Sequence, residues 1–427
     1  MKKCTGVGVG PANLSLACQL SGESVSAHFF DRRPSFSWHD GMQLNNTTLQ
    51  VSLFKDLITL SDPTSRYTFL NYLHECGRLN SFINAGFDEV SRREFSNYMT
   101  WVAKNLPSIE FGVDVQEIDF DGQFKVTTNQ GVVHSENVVL GIGKSPSLPA
   151  CVADLTSETL FHSSKYMWHK PPMGQKRIVV VGGGQSGAEI FLDCISETDD
   201  NKPANVAWIS SRENYWPIDD SPFTNDMFMP CYVDHFASLS KQVRAEKVSQ
   251  DILTSDGVSE PTLRAIYQKL YLRRFVDGDE SFAQLLPNRR LQSASNQGGA
   301  WNLLVKHKRD GVDALMAADI VIFATGYRNA EQPLSDTLRE RLEWEDSEIR
   351  LDDDYAAQWN GPSNNRLFVQ NGAVVQKGLA DPNLSLLAWR SRRIADSILG
   401  RERTNQEAPS MIEWGSDLTR QRLLQTA

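Results

Sequence analysis

An α/β fold with two parallel-sheet units and a mainly helical insert is predicted by three observations. Two glycine-rich turns, Gly8-Val9-Gly10-Pro11-Ala12-Asn13 and Gly182-Gly183-Gly184-Gln185-Ser186-Gly187, each follow an apolar run of β type and precede a helical pattern. Between about Trp216 and Leu286 the periodicity becomes helical with many charges, as at Leu263, Ile266, Leu270 and Phe275. A glycine turn between strand and helix lets backbone N–H groups approach a pyrophosphate, so two such turns predict two Rossmann-like domains and two bound dinucleotides.

The first unit reads as strand, turn with Gly8, Gly10 and Pro11, helix over Leu14 to Leu20, and a second strand over Val25 to Phe30 that ends in Asp31. An acidic residue about 20 positions beyond the glycines is the expected acceptor for ribose hydroxyls. Asn13 stands where the pattern has its third glycine, and a tight turn in some other α/β protein is the competing reading. In the second unit an apolar strand, Arg177 to Val181, leads into Gly182, Gly184, Gln185, Ser186 and Gly187, a helix over Ala188 to Ile195 and a strand over Val206 to Ile209. That strand ends in Ser210-Ser211-Arg212, two hydroxyls and a guanidinium instead of a carboxylate, which favours the 2′-phosphate of NADPH over NADH. A solvated surface charge is the alternative for Arg212.

Two further strands end in small residues, Val138-Val139-Leu140-Gly141-Ile142-Gly143 and Ile320-Val321-Ile322-Phe323-Ala324-Thr325-Gly326-Tyr327. Such ends suit a crossing between domains. The expected organisation is a first part over 1–168, a second domain over 169–324 with the helical insert at about 216–286, and a return to the first domain over 325–427. The tail after Gly400 is polar and is expected to be poorly ordered.

Composition narrows the function. With 427 residues, 40% hydrophobic and 22% charged, the chain has the material for two or three cores. A net charge of −10 without a basic block disfavours nucleic acid and anionic membrane. No run reaches a membrane span and the N-terminus resembles no signal peptide, so the cytoplasm is expected. Six scattered cysteines contain no C-x-x-C pair, which argues against a dithiol relay, and the histidines show no ligand spacing, so no metal is expected.

Further segments stand out in order: Phe36-Ser37-Trp38-His39-Asp40-Gly41-Met42, Leu49-Gln50-Val51-Ser52-Leu53-Phe54-Lys55-Asp56-Leu57, Asp62-Pro63-Thr64-Ser65, Phe69 to Leu73, Asp219 to Phe223, and Gly378 to Leu386. With these, and with Gly8 to Leu16, Gly182 to Gly187 and Ala324 to Tyr327, the chain resembles the FAD- and NADPH-dependent N-hydroxylating monooxygenases of hydroxamate siderophore pathways. The resemblance implies FAD along Gly8, Gly10, Pro11, Asn13, Asp31, Trp38, His39, Met42, Gln50, Leu384 and Leu386. It implies NADPH at Gly182, Gly184, Gln185, Ser186, Gly187, Ser211, Arg212, Thr325, Gly326 and Tyr327. Substrate is expected near Gln50, Lys55, Thr254 and Ser385, with Lys55 as the anchor for a carboxylate, and no acid or base is assigned. The bland readings are an exposed Lys55 paired with Asp56, and simple core packing for Trp38 and Met42.

The resemblance further implies hydroxylation of a terminal primary amine with O2 through a C4a-hydroperoxyflavin, by a homotetramer. The stretch Leu253-Thr254-Ser255-Asp256-Gly257-Val258 resembles the lysine or diamine branch more than the ornithine one, and Lys377 stands where the family often has a histidine before Gly378. L-lysine, cadaverine and putrescine remain open, because one methylene is worth only about 1–3 kcal/mol. A flavin monooxygenase of ketones, sulfur or tertiary amines, and a non-catalytic FAD and NADPH binder, are the alternatives. The amine must react neutral, which from a reference pKa of about 10.4 costs about 4.6 kcal/mol at pH 7. A dry pocket lowers that cost.

Overall fold

The computed structural model describes residues 2–45, 47–155, 157–403 and 409–415. The first apolar run forms the strand Lys2–Val7, and the helix Pro11–Leu20 starts with proline at its first turn, where the missing N–H costs nothing. The next strand, Ala27–Asp31, runs parallel to the first. Seven strands make this sheet, in the order Ile109–Phe111, Ala27–Asp31, Lys2–Val7, Gly131–Leu140, Phe124–Thr128, Val115–Phe120, with Leu367–Val369 paired to Gly131–Leu140.

The ten-residue strand Gly131–Leu140 divides its pairing: residues up to Ser135 meet Phe124–Thr128 antiparallel, and Val138–Leu140 meet Leu367–Val369 parallel. The beginning and the end of the chain thus share one sheet. The helix Leu387–Leu399 completes this unit by lying on Pro11–Leu20, where Ser391 Oγ donates to Ala12 O at 3.3 Å.

The second sheet is wholly parallel, in the order Ala283–Leu286, Asn205–Ile209, Arg177–Val181, Ile320–Phe323, Leu160–His162. It draws Leu160–His162 from the segment expected in the first domain, and its opposite edge, Ala283–Leu286, from the end of the stretch expected to be helical. One face packs on the helix Gln185–Ser196, and the other on an antiparallel sheet of Arg289–Gln297, Ala300–His307 and Asp313–Ala318.

Between the strands Asn205–Ile209 and Ala283–Leu286 lie the helices Pro222–Asn225, Pro230–Ser238, Lys241–Gln250, Leu253–Asp256 and Glu260–Tyr271. Ile266 is buried, and Leu263 and Leu270 pack on the core, as the spacing predicts. Phe275 is instead 67% exposed: five residues past Leu270, it stands about 140° around an α-helix from that residue, off the stripe that Leu263, Ile266 and Leu270 form. Part of the expected loose tail is docked: Ser410 Oγ donates to Asp226 at 2.7 Å and the Trp414 ring meets Tyr232. Residues 404–408 and 416–427 of that tail lie outside the described residues. Among the described residues no helix is long and apolar enough to cross a membrane.

Candidate active site

At the first glycine turn, Val9 N–H donates to Asp31 Oδ2 at 2.8 Å. Arg33 donates to the same carboxylate from its backbone N, Nε and Nη2 at 2.8–2.9 Å. Burial raises the Asp31 carboxyl, but these donors outweigh it and hold it below its ordinary value. The four acceptor positions of Asp31 are therefore filled, and a ribose hydroxyl reaches it only where Arg33 gives way.

Asn13 explains its replacement of a glycine. Its amide donates to Gly8 O at 2.8 Å and Val7 O at 3.2 Å, inside a space that exists because Gly141 has no side chain. A Cβ at Gly141 would lie 2.5 Å from Asn13. Gly8 adopts φ +83° against Gly141 O, whereas a Cβ at Gly10 would meet nothing within 4 Å. The loop is thus tight toward the sheet and open toward the helix N-terminus, a cradle that fits a pyrophosphate.

The second turn is as tight toward its sheet. Gly182 lies on Ala324 O, and Gly187 passes so close to Gly182 O that its Cβ would stand 2.1 Å away. Trp208 Nε1 donates to Gly182 O at 2.7 Å, while Gly184 caps the helix Gln185–Ser196 with Asp256 O 3.7 Å from where its Cβ would stand, and Ser186 is half-buried in the first turn of that helix. Arg212 lies across this loop and donates to Asp256 O at 2.8 Å and Gly183 O at 3.3 Å; Ser211 beside it is exposed. Lys308, which sequence reasoning missed, donates to Ser211 O at 2.9 Å. It comes from the hairpin sheet, whose pairing with this edge no local pattern announces.

Thr325, Gly326 and Tyr327 sit where the chain crosses between the units. Thr325 Oγ1 donates to Ser147 O at 2.5 Å, Gly326 O is 3.0 Å from His162 Nε2, and the Tyr327 ring lies between His162 and His39. His39 holds a left-handed φ of 52° with its ring against Trp38; the residue keeps an exposed surface, and partial loss of water about the ring and then the Arg92 charge lower its pKa. Trp38 packs on Phe95 in the first core, and the Met42 side chain is buried in the second.

Gln50 reaches the second glycine turn, with its Nε2 3.4 Å from Gln185 Oε1. A cleft of about 420 Å³ lies alongside, lined by Leu44, Thr47, Thr48, Gln185, Glu189 and Thr262. Lys55 is half-buried, burial lowers its pKa, and its ammonium has no hydrogen bond or ion pair among the described residues. Asp56 is not its partner: that carboxylate is buried and accepts from Phe69 N, Thr59 N, Thr59 Oγ1 and Ile58 N at 2.7–2.9 Å. The turn Leu384–Leu386 is capped by Asn383, with Ser385 and Leu386 buried and Leu384 on the first core. Thr254 lines a small cavity of about 10 Å³ with Asp251, Phe228 and Ala380, a lining that does not include Lys55, and its hydroxyl has no partner among the described residues.

Residues 2–329 match the L-lysine 6-monooxygenase/L-ornithine 5-monooxygenase family. The chain is 37% identical to the L-lysine N6-monooxygenase of Escherichia coli, over 96% of this chain and 98% of that protein. The solved FAD-bound cadaverine monooxygenase of Erwinia amylovora superposes with a TM-score of 0.88 at 27% identity, covering 97% of this chain and 99% of that one. An ornithine N-hydroxylase of Kutzneria, solved with reduced FAD, NADP+ and L-ornithine, superposes with a TM-score of 0.86 at 30% identity, covering 94% and 99%. By sequence and by fold, the chain belongs to the L-lysine 6-monooxygenase/L-ornithine 5-monooxygenase family.

Proposed function

We propose that this protein hydroxylates the side-chain amine of L-lysine, with FAD on the first glycine turn and NADPH on the second. It is an FAD- and NADPH-dependent N-hydroxylating monooxygenase of the group that acts on lysine, ornithine and diamines in siderophore biosynthesis. When bound, NADPH supplies a hydride, and the flavin with O2 supplies the oxygen atom that the amine receives. The chain's own part is to hold the amine in a dry site beside the flavin, where burial favours the neutral, nucleophilic form.

The observation that carries lysine over a diamine is the half-buried ammonium of Lys55, which has no partner among the described residues. A half-buried cation without an acceptor is stabilised by a carboxylate and repels a second ammonium, so the far end of the substrate is an amino-acid carboxylate. A diamine would need a free acid. Asp251, the acid beside Thr254, already lies 3.2 Å from Lys247.

Self-association in the cytoplasm is part of the proposal, and the exposed stripe Tyr267, Tyr271, Phe275 and Val276 supports it as the contact face. A Phe275→Glu protein would then be smaller than wild type by light scattering. The substrate is tested on FAD-loaded protein by following NADPH oxidation and hydroxylamine formation in parallel with L-lysine, L-ornithine, cadaverine and putrescine. Coupled turnover with L-lysine supports the reading. Coupling only with a diamine removes the Lys55 role, and peroxide without hydroxylamine from all four overturns N-hydroxylation.

A further inference from the structure

Arg92 is the first residue of the helix Arg92–Lys104, and Glu189 lies in the second turn of the helix Gln185–Ser196. The first helix packs in the unit that carries the first glycine turn; the second is the helix that the second glycine turn caps. Arg92 Nη2 donates to Glu189 Oε1 at 2.8 Å and Nη1 to Glu189 Oε2 at 3.1 Å. Nη1 also donates to Met42 O at 2.9 Å, and the Arg92 backbone N–H to Thr47 O at 2.9 Å.

Gln185 Nε2 reaches Glu189 Oε1 at 2.9 Å, and Gln185 Oε1 accepts from Ser259 N at 2.8 Å and from Gln50. Arg92 is 14% exposed and Glu189 5%. A guanidinium matched to a carboxylate through two bonds resists sliding and rotation together, which a single contact does not. Burial makes any wrong register costly, because a displaced partner is left charged and desolvated.

We propose that Arg92 and Glu189 form the strut that fixes the two dinucleotide-binding units relative to each other, and so are positioning residues for reduction of the flavin by NADPH. Hydride transfer moves two electrons and one hydrogen from the nicotinamide to the flavin and leaves NADP+, and it needs the reacting atoms about 3–3.5 Å apart. Neither side chain takes part in that step. The strut joins Met42, Thr47 and Gln50 on one side to Gln185 and Ser259 on the other, so its loss loosens the approach of the rings without removing a donor to either cofactor. The proposal rests on FAD occupying the first turn and NADPH the second.

The test uses full-length, FAD-loaded R92Q, E189Q and the double variant. Wild type is read first: if NADPH does not bleach its flavin, the cofactor reading fails. If it does, the strut predicts anaerobic bleaching by NADPH at least about 10-fold slower in each single variant. The double variant should be slower than the worse single by no more than about 2-fold, since the two residues act as one unit. Reoxidation by O2 after dithionite reduction, and NADP+ affinity by calorimetry, should stay near wild type. E189Q keeps the shape of its residue and serves alone should R92Q lose flavin. Wild-type bleaching rates in E189Q, multiplying losses in the double variant, or a fall in NADP+ affinity that matches the fall in rate would each overturn the strut.

Discussion

Gln370 donates from Nε2 to Asn13 Oδ1 at 2.8 Å and so ties the last strand of the first sheet to the first glycine turn. Its own oxygen accepts from Arg390 Nε at 3.3 Å, and Arg390 also holds Asp381 and Asn371. Asn13, Gln370, Asp381 and Arg390 are all buried. Gln370→Ala leaves an amide oxygen without a donor, at a cost of about 1–3 kcal/mol. A lower Tm together with weaker FAD binding, read by flavin fluorescence, is the expected outcome. A lower Tm with unchanged FAD affinity would confine the network to folding.

Local pattern was enough for both strand-turn-helix units, because each is written within about 30 consecutive residues. It was also enough to place Lys55 beside Asp56, but not to show that Asp56 turns inward to cap Ile58, Thr59 and Phe69. The antiparallel sheet after Leu286 escaped the helical and parallel readings, although Gly298-Gly299, both at positive φ, forms the two-residue turn of a hairpin. Arg92 and Glu189 are 97 residues apart, and only the docking of two units brings them together. Phe275 faces outward because its spacing of five from Leu270 leaves the apolar stripe of an α-helix by about 140°, so the local period itself argued against its burial.

Lys55→Met keeps the length and apolar stem of the side chain and removes its charge. If the ammonium receives the substrate carboxylate, kcat/KM for L-lysine falls by the worth of a charged hydrogen bond, about 1.5–3 kcal/mol or roughly 10- to 150-fold. Cadaverine, which has no carboxylate, should lose nothing and gains from the removed repulsion. Steady-state hydroxylamine formation with the two substrates decides it: equal losses for both would mean that Lys55 supports the fold of the loop and not the substrate.

Lys308 Nζ donates to Ser211 O, one residue before Arg212 and just past the end of the strand Asn205–Ile209. A 2′-phosphate bound there would be held by both. Lys308→Ala should therefore lower kcat/KM with NADPH by roughly 10-fold or more and leave NADH unchanged. A parallel fall with both nucleotides would place Lys308 outside phosphate recognition.

Glu348 is a buried carboxyl, 4% exposed, that accepts from Val375 N–H at 3.1 Å. Pushed up to about 7 from 4.5 by burial, it is protonated in the folded protein over that window and releases its proton on unfolding, so stability falls as pH rises from 4.5 to 7. The full window is worth about 3 kcal/mol. Glu348→Gln keeps the shape of the side chain and has no proton to release, so its stability should stay flatter across the same range. Urea unfolding of the two proteins from pH 4.5 to 7 reads the difference, and two parallel curves would show that Glu348 is not held as its burial requires.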